Sequence, residues 1–170
     1  MNKAISVIDF TLIYNLYKRP LYNYVWKMLS DKSVAEDIVQ NVFLKFYENL
    51  KIIKQKSNPS AWLFTTARNE IYGYLRKKKI RSEELMDEDF DYASIENLKA
   101  DIEETEVKDL IEKEIDKMNE DTKEIFLLRH YSELSYKDIA NVLGIDEGIV
   151  KGRLFRVRQM LIDKISKLVR

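Results

Sequence analysis

Apolar residues recur at helical spacing along most of this chain, and the elements they predict are helices. From Phe10 to Leu29 the stripe is aromatic (Phe10, Ile13, Tyr14, Tyr17, Leu21, Tyr24, Val25, Met28) and reads as core. Pro20 is expected near a junction of two helical pieces, because a mid-helix proline removes a hydrogen bond. Ser33 to Leu50 predicts a stronger helix, opened by a Ser33–Glu36 capping box. Its broad buried face is Val34, Ala35, Ile38, Val39, Val42, Phe43, Phe46 and Leu50. Lys51 to Ser57 reads as a basic, polar connection. Asn58-Pro59 then gives an N-cap and a first-turn proline, opening a helix whose apolar face is Leu63, Phe64, Ala67, Ile71, Tyr74 and Leu75.

Ser82 to Thr105 is dense in charge and thin in apolar residues, which favours a mobile linker over a packed element. A helix resumes from Glu106 to Lys117 with Val107, Leu110, Ile111 and Ile115 on one side. The break at Met118 to Asp121 caps another helix, where Ile125, Phe126, Leu127 and Leu128 form core. Ser135 to Gln159 reads as two short helices joined by a tight turn. Ser135 caps the first, with Asp138 three residues on. Gly144 supplies the left-handed position that ends it, and Asp146 sits where a second N-cap belongs.

The outward faces carry the candidate chemistry. In the last helix Val150, Leu154, Val157 and Leu161 point one way, while Gly148, Gly152, Phe155, Arg156 and Gln159 point the other. Lys151, Arg153 and Arg158 flank them. Gly152 costs a helix interior roughly 1 kcal/mol against Ala, and close approach to a DNA backbone supplies a reason to have it. Phe155 beside Arg156 suits a thymine methyl next to a guanine edge or phosphate. The competing view is an ordinary helical hairpin. On the Ser33 helix, Leu44 and Tyr47 stand among Asp37, Gln40, Asn41 and Glu48, as in a protein-binding patch. On the Asn58 helix, Trp62, Thr65, Thr66, Asn69, Tyr72 and Arg76 face away from the core with Arg68 at the edge. Aromatic faces beside amides and cations suit unstacked bases, and the basic run Arg76, Lys77, Lys78, Lys79, Arg81 suits phosphates.

LRHYSELSYKDIANVLGIDEGIVKGRLFRVRQML resembles the fourth region of bacterial sigma factors, in the small extracytoplasmic-function group. The resemblance implies that the helix from Glu147 reads the promoter −35 element. The implied contacts are Lys151, Gly152, Phe155 and Arg156, with Arg153 and Arg158 on phosphates. The family more often has Thr and Ser where this chain has Ile149 and Gly152, and commonly a proline in the Met118 break. SVAEDIVQNVFLKFYENL resembles the segment that docks on the clamp helices of RNA polymerase's largest subunit, which implies contact roles for Asp37, Gln40, Asn41 and Leu44. NPSAWLFTTARNEIYGYLRKKK resembles the segment that opens and captures the −10 element, holding an extruded base in the loop before it. By position that implicates Lys56, Ser57 and Asn58 in the loop, and Trp62, Thr65, Arg68, Asn69, Tyr72 and Arg76 along the strand. Trp62 alternatively packs inward beneath the loop. Implied partners are core polymerase, through its clamp helices and flap, promoter DNA and an anti-sigma factor.

Charge sharpens this organisation. The net charge is zero, yet residues 1–82 carry 15 Lys and Arg against 6 Asp and Glu, residues 83–121 carry 4 against 17, and residues 122–170 carry 10 against 6. Two basic blocks thus flank an acidic one. The expected architecture is all-α: a domain over 1–81, an acidic flexible linker over 82–105 and a helix-turn-helix domain over 106–170. In the family the linker threads toward the polymerase active centre, although a plain solubilising tether accounts for its composition as well. The chain has no Cys, hence no thiolate metal site, which fits a reducing cytoplasm. No segment approaches the roughly 20 apolar residues of a membrane span. No phosphate-binding or dinucleotide loop, partnered nucleophile or metal-ligand cluster supports an enzyme, a metal or a cofactor. The alternative to a sigma factor is a two-domain regulator that binds duplex DNA alone. It would need neither the docking face around Asp37 and Gln40 nor the base-capturing helix.

Overall fold

The computed structural model describes residues 2–56, 58–84 and 102–168, with side chains over 9–53, 58–82 and 106–168. They form eight helices: α1 Asn2–Leu29, α2 Lys32–Glu48, α3 Leu50–Lys56, α4 Pro59–Glu84, α5 Ile102–Asp116, α6 Glu120–Ser132, α7 Tyr136–Leu143 and α8 Glu147–Leu168. Most of the expected linker, residues 85–101, lies outside the described residues. At its edges α4 runs on to Glu84 and α5 starts at Ile102.

Three local expectations are corrected. Helix α1 runs unbroken through Pro20. The carbonyl that proline deprives of a partner belongs to Leu16, on a solvent-exposed face where water can serve it. The opposite face, with Leu21, Tyr24 and Val25 fully buried, holds the helix together across the gap. The N-cap of α2 is Asp31 rather than Ser33, its carboxylate accepting from the Val34 amide at 3.1 Å. Ser30 at φ 56° ends α1 so tightly that the next side chain already stands in capping position. The basic connection after α2 is helix α3, because Leu50 and Ile53, one turn apart, are both buried.

The N-terminal domain packs α1, α2 and α4 around Leu21, Tyr24, Val42, Phe46, Phe64 and Ile71. Tyr24 lies 5.4 Å from Phe64 and Phe46 lies 5.6 Å from Trp62, ring centre to ring centre. Tyr74 is only half-buried, and Leu75, expected in the core, is exposed near the point where α4 outruns its support. In the C-terminal domain, Ile125 and Leu128 of α6, Ile139 and Ala140 of α7 and Val150 and Leu154 of α8 belong to one buried cluster, and Val157 of α8 is buried as well. Asn119 caps α6 by accepting from the Thr122 amide at 2.9 Å.

The two domains are packed together. Helix α6 lies against α1 and α4, and α7 against α4. At the centre Glu124 of α6, only 3% exposed, accepts from the Tyr24 hydroxyl at 3.1 Å and the Arg68 Nε–H at 2.9 Å through Oε1. Its Oε2 accepts from the Tyr72 hydroxyl at 3.0 Å. The buried Ser60 hydroxyl donates to the Ser132 carbonyl at 2.8 Å, and Lys27 pairs with Glu112 at 3.1 Å. A carboxylate taken out of water costs several kcal/mol unless its oxygens are matched. Here both oxygens are, and by side chains of the other domain.

This junction leaves a mark on the phenols. Burial and the adjacent Glu124 charge raise Tyr24 well above its ordinary value, and push Tyr72 up to about 12. For Arg68, burial lowers and the Glu124 charge raises, and the net shift is upward. The neutral Tyr72 phenol is the form docking favours, so its contribution is complete below pH 10, declines between pH 10 and about 12, and is lost above. An alkaline titration followed at the tyrosinate absorbance should therefore show late-titrating phenols. Glu124→Ala should return Tyr72 toward 10; an unchanged titration curve would contradict the junction.

Candidate nucleic-acid and protein interfaces

The turn between α7 and α8 is set by a few local groups. Ser135 Oγ accepts from the Asp138 amide at 3.0 Å and donates to the Asp138 carboxylate at 2.6 Å. Gly144 ends α7 at φ 66°, a left-handed conformation that costs glycine little. Asp146 then accepts from the Gly148 amide at 2.7 Å and opens α8. A Cβ on Gly148 would lie 2.8 Å from that carboxylate oxygen, so glycine lets the cap close.

Helix α8 buries Val150, Leu154 and Val157 against α6 and α7, with Leu161 half-buried. Its other face exposes Gly148, Lys151, Gly152, Phe155, Arg156, Arg158 and Gln159. Phe155 is 62% exposed, an unusual outlay of apolar surface beside a cation. A Cβ on Gly152 would meet nothing within 4 Å, so no packing within the chain requires a glycine there. Lys151 pairs with Glu147 at 2.7 Å, whose hydrogen bond and charge raise its pKa. Arg153, expected on a phosphate, is half-buried and turned back toward Asp121 of α6 at 3.4 Å.

Helix α2 places Asp37, Gln40, Asn41 and Leu44 together on one exposed face. Leu44 and Tyr47 are 57% and 50% exposed. They and Gln40 form one wall of a groove of about 810 Å³, whose other wall is α1, with Phe10 and Tyr14 in its lining and Lys18 and Arg19 among the flanking cations. The sequence put Phe10 and Tyr14 in the core and missed this wall; Lys18 and Arg19, charges beside an aromatic stripe, were its signal.

The α4 surface is divided. Asn58 opens the helix by accepting from the Ser60 amide at 3.0 Å. Lys56 is the last residue of α3, but its side chain and all of Ser57 lie outside the described residues. Trp62 is half-buried and meets Phe46 edge-on, which is the inward alternative. Thr65 is half-buried, while Asn69, Arg76 and the basic run after it are exposed. Arg68 and Tyr72 stay together, the guanidinium 4.7 Å from the ring centre, but both are held by Glu124. Glu124, Tyr24 and Ser60 are the functional neighbours that sequence reasoning missed. A visible sign was an acidic residue one turn before Leu128 on an otherwise apolar helix face. His130 is exposed and stacks on Phe126 at 6.0 Å between ring centres. Among the described residues no His, Cys, Asp and Glu group could hold a metal ion, and no helix is long and apolar enough to cross a membrane.

Residues 13–80 match the sequence family described as Sigma-70 region 2, and residues 108–161 match Sigma-70, region 4. The chain is 33% identical to the ECF RNA polymerase sigma factor EcfG of Rhodopseudomonas palustris, over 75% of this chain and 68% of that one. It is 29% identical to the ECF RNA polymerase sigma factor SigM of Bacillus subtilis, over 88% and 90%. Among solved structures it resembles the sigma factor RpoE of Bartonella quintana, crystallised in complex with the anti-sigma factor NepR. That match has a TM-score of 0.74 and 26% identity, covering 93% of this chain and 97% of that one. A second, CnrH in complex with the cytosolic domain of CnrY, shares the fold at a TM-score of 0.62 and 18% identity. With regions 2 and 4 in order along one helical chain, this protein belongs to the sigma-70 family as an extracytoplasmic-function sigma factor, which directs RNA polymerase to initiate transcription at promoters.

Proposed function

We propose that the two domains divide promoter recognition between them, α8 reading duplex DNA at the −35 element and α4 capturing the −10 strand. The observation that carries this is the exposed face of α8, where Gly152, Phe155 and Arg156 stand outward from a well-packed helix-turn-helix. A recognition helix in the major groove presents such side chains to base edges. Lys151 joins these contacts, and Arg158 takes a phosphate. Arg153 does so after exchanging Asp121 for DNA. On the N-terminal domain Asp37, Gln40, Asn41 and Leu44 dock on the polymerase clamp. The loop residues Lys56, Ser57 and Asn58, with Trp62, Thr65, Arg68, Asn69, Tyr72 and Arg76, hold the opened strand. The protein acts in the cytoplasm as an initiation factor without catalysis of its own. By analogy with RpoE, crystallised with the anti-sigma factor NepR, an anti-sigma factor binds this protein and holds it inactive.

Run-off transcription with purified core polymerase on a promoter library tests this directly. Initiation at defined start sites only when the protein is added is the expected result. Silence across the library, with tight duplex binding in the absence of polymerase, would favour a stand-alone regulator. On an active promoter, Arg156→Ala should cost about 1–3 kcal/mol of discrimination at the upstream element and leave core binding intact. Equal losses in both would contradict the assignment.

Asp37→Ala combined with Gln40→Ala should weaken binding to core polymerase without lowering the melting temperature, since both residues are exposed; undiminished affinity would refute the docking face. Gly152→Ala separates folding from recognition. It should stabilise the free protein by about 0.5–1 kcal/mol, because the added methyl meets nothing. The same methyl should weaken −35 duplex binding. Unaltered DNA affinity would show that no DNA backbone comes close to residue 152.

A further inference from the structure

Glu124 is bound by two phenol hydroxyls and a guanidinium, a donor set suited to an anion. All three donors belong to the N-terminal domain, and the anion is supplied by the C-terminal one. Two of them, Arg68 and Tyr72, lie on the α4 face assigned above to the −10 strand. Lift α6 away, and what remains on the N-terminal domain is a cradle for a negatively charged oxygen. On a strand-binding face the matching ligand is a backbone phosphate.

We propose that helix α6 is a built-in competitor of the promoter strand. Glu124 occupies the phosphate position between Arg68 and Tyr72, so the closed chain cannot hold the −10 strand there until the domains separate. This rests on the strand-capture reading of α4. The rest of the contact fits an occluding role. The Ser60 hydroxyl, bonded to the Ser132 carbonyl, seats the end of α6 over the first turn of α4, close to Asn58. Lys27 and Glu112 pin α5 to the C-terminal end of α1, away from the strand face. Asn69 and Arg76 remain exposed, so the closed form blocks part of the face and leaves the remainder to meet DNA first. Strand and carboxylate compete for the same guanidinium and phenol, and every part of the chain that keeps α6 in place lowers the apparent affinity for the strand.

The test is binding of a fluorescein-labelled, random-sequence single-stranded DNA 12-mer to the full chain, with and without core polymerase. A closed state favoured about tenfold lowers apparent affinity by the same factor, so Glu124→Ala should bind the strand about tenfold tighter than wild type. Glu106→Gln removes one negative charge from an exposed site on α5 and should change affinity less than about twofold, as one screened charge does. Lys27→Glu, which touches neither Glu124 nor the strand face, should also tighten binding by setting two acidic side chains against each other. The Lys27→Glu, Glu112→Lys exchange should restore the wild-type value, an outcome that misfolding would not give. If wild type with polymerase binds the strand but Glu124→Ala alone binds no better than wild type alone, the competitor is refuted. If no form binds the strand even with polymerase, the strand-capture reading fails, and the competitor with it.

Discussion

The closed arrangement of this protein turns on one carboxylate that has left water. Glu124 projects from a helix otherwise apolar on that side, and an unmatched charge there would expel α6 from the junction. Tyr24, Arg68 and Tyr72 supply the match, and they can do so only because α1 and α4 are already packed side by side. The dependence also runs the other way. The guanidinium of Arg68 and the ring of Tyr72 would face solvent without α6. The polar part of the contact between domains is therefore specific, and it sits beside a buried apolar cluster to which both domains contribute.

Strand capture by α4, as proposed above, requires this interface to be temporary. The α8 face proposed to read duplex DNA points outward in the closed chain, with Phe155 and Arg156 exposed. The α2 face with its groove against α1 is likewise open. Helix α4 is partly covered, and on α8 Arg153 is turned back toward Asp121. On the proposed assignments, docking on polymerase and contact with the upstream element can precede exposure of the α4 strand face, and the free energy of those contacts is then available to separate the domains. The order follows from which surfaces the closed chain leaves bare.

The sequence made the helices and their buried faces legible because heptad-like apolar spacing is a local property. Ser135, Gly144, Asn119 and Asn58 announced their caps for the same reason, each acting within three or four residues. Pro20 misled because a proline forbids one hydrogen bond, whereas tertiary packing of Leu21, Tyr24 and Val25 decides whether the helix survives the loss. Ser33 misled because the neighbouring Asp31, placed by the left-handed Ser30, is the better-positioned cap. Helix α3 was missed because two apolar residues one turn apart are too few to show a period. The partnership of Glu124 with Tyr24 spans 100 residues and crosses a stretch of chain without periodicity. Nothing local records it. Its effect on the candidate site is the largest departure from expectation, since residues assigned to DNA are held by protein.

The most direct measurement uses the absence of cysteine in the chain. Ser33→Cys on α2 and Ser166→Cys on α8, both exposed, take a pair of spin labels or fluorophores without competing sites. The distance between them is then recorded in the free protein and after addition of core polymerase and promoter DNA. A single narrow distribution in the free protein that lengthens or splits in the complex is what a Glu124-centred junction predicts. A broad distribution in the free protein, no narrower than that of Glu124→Ala, would mean the domains are not held by this carboxylate.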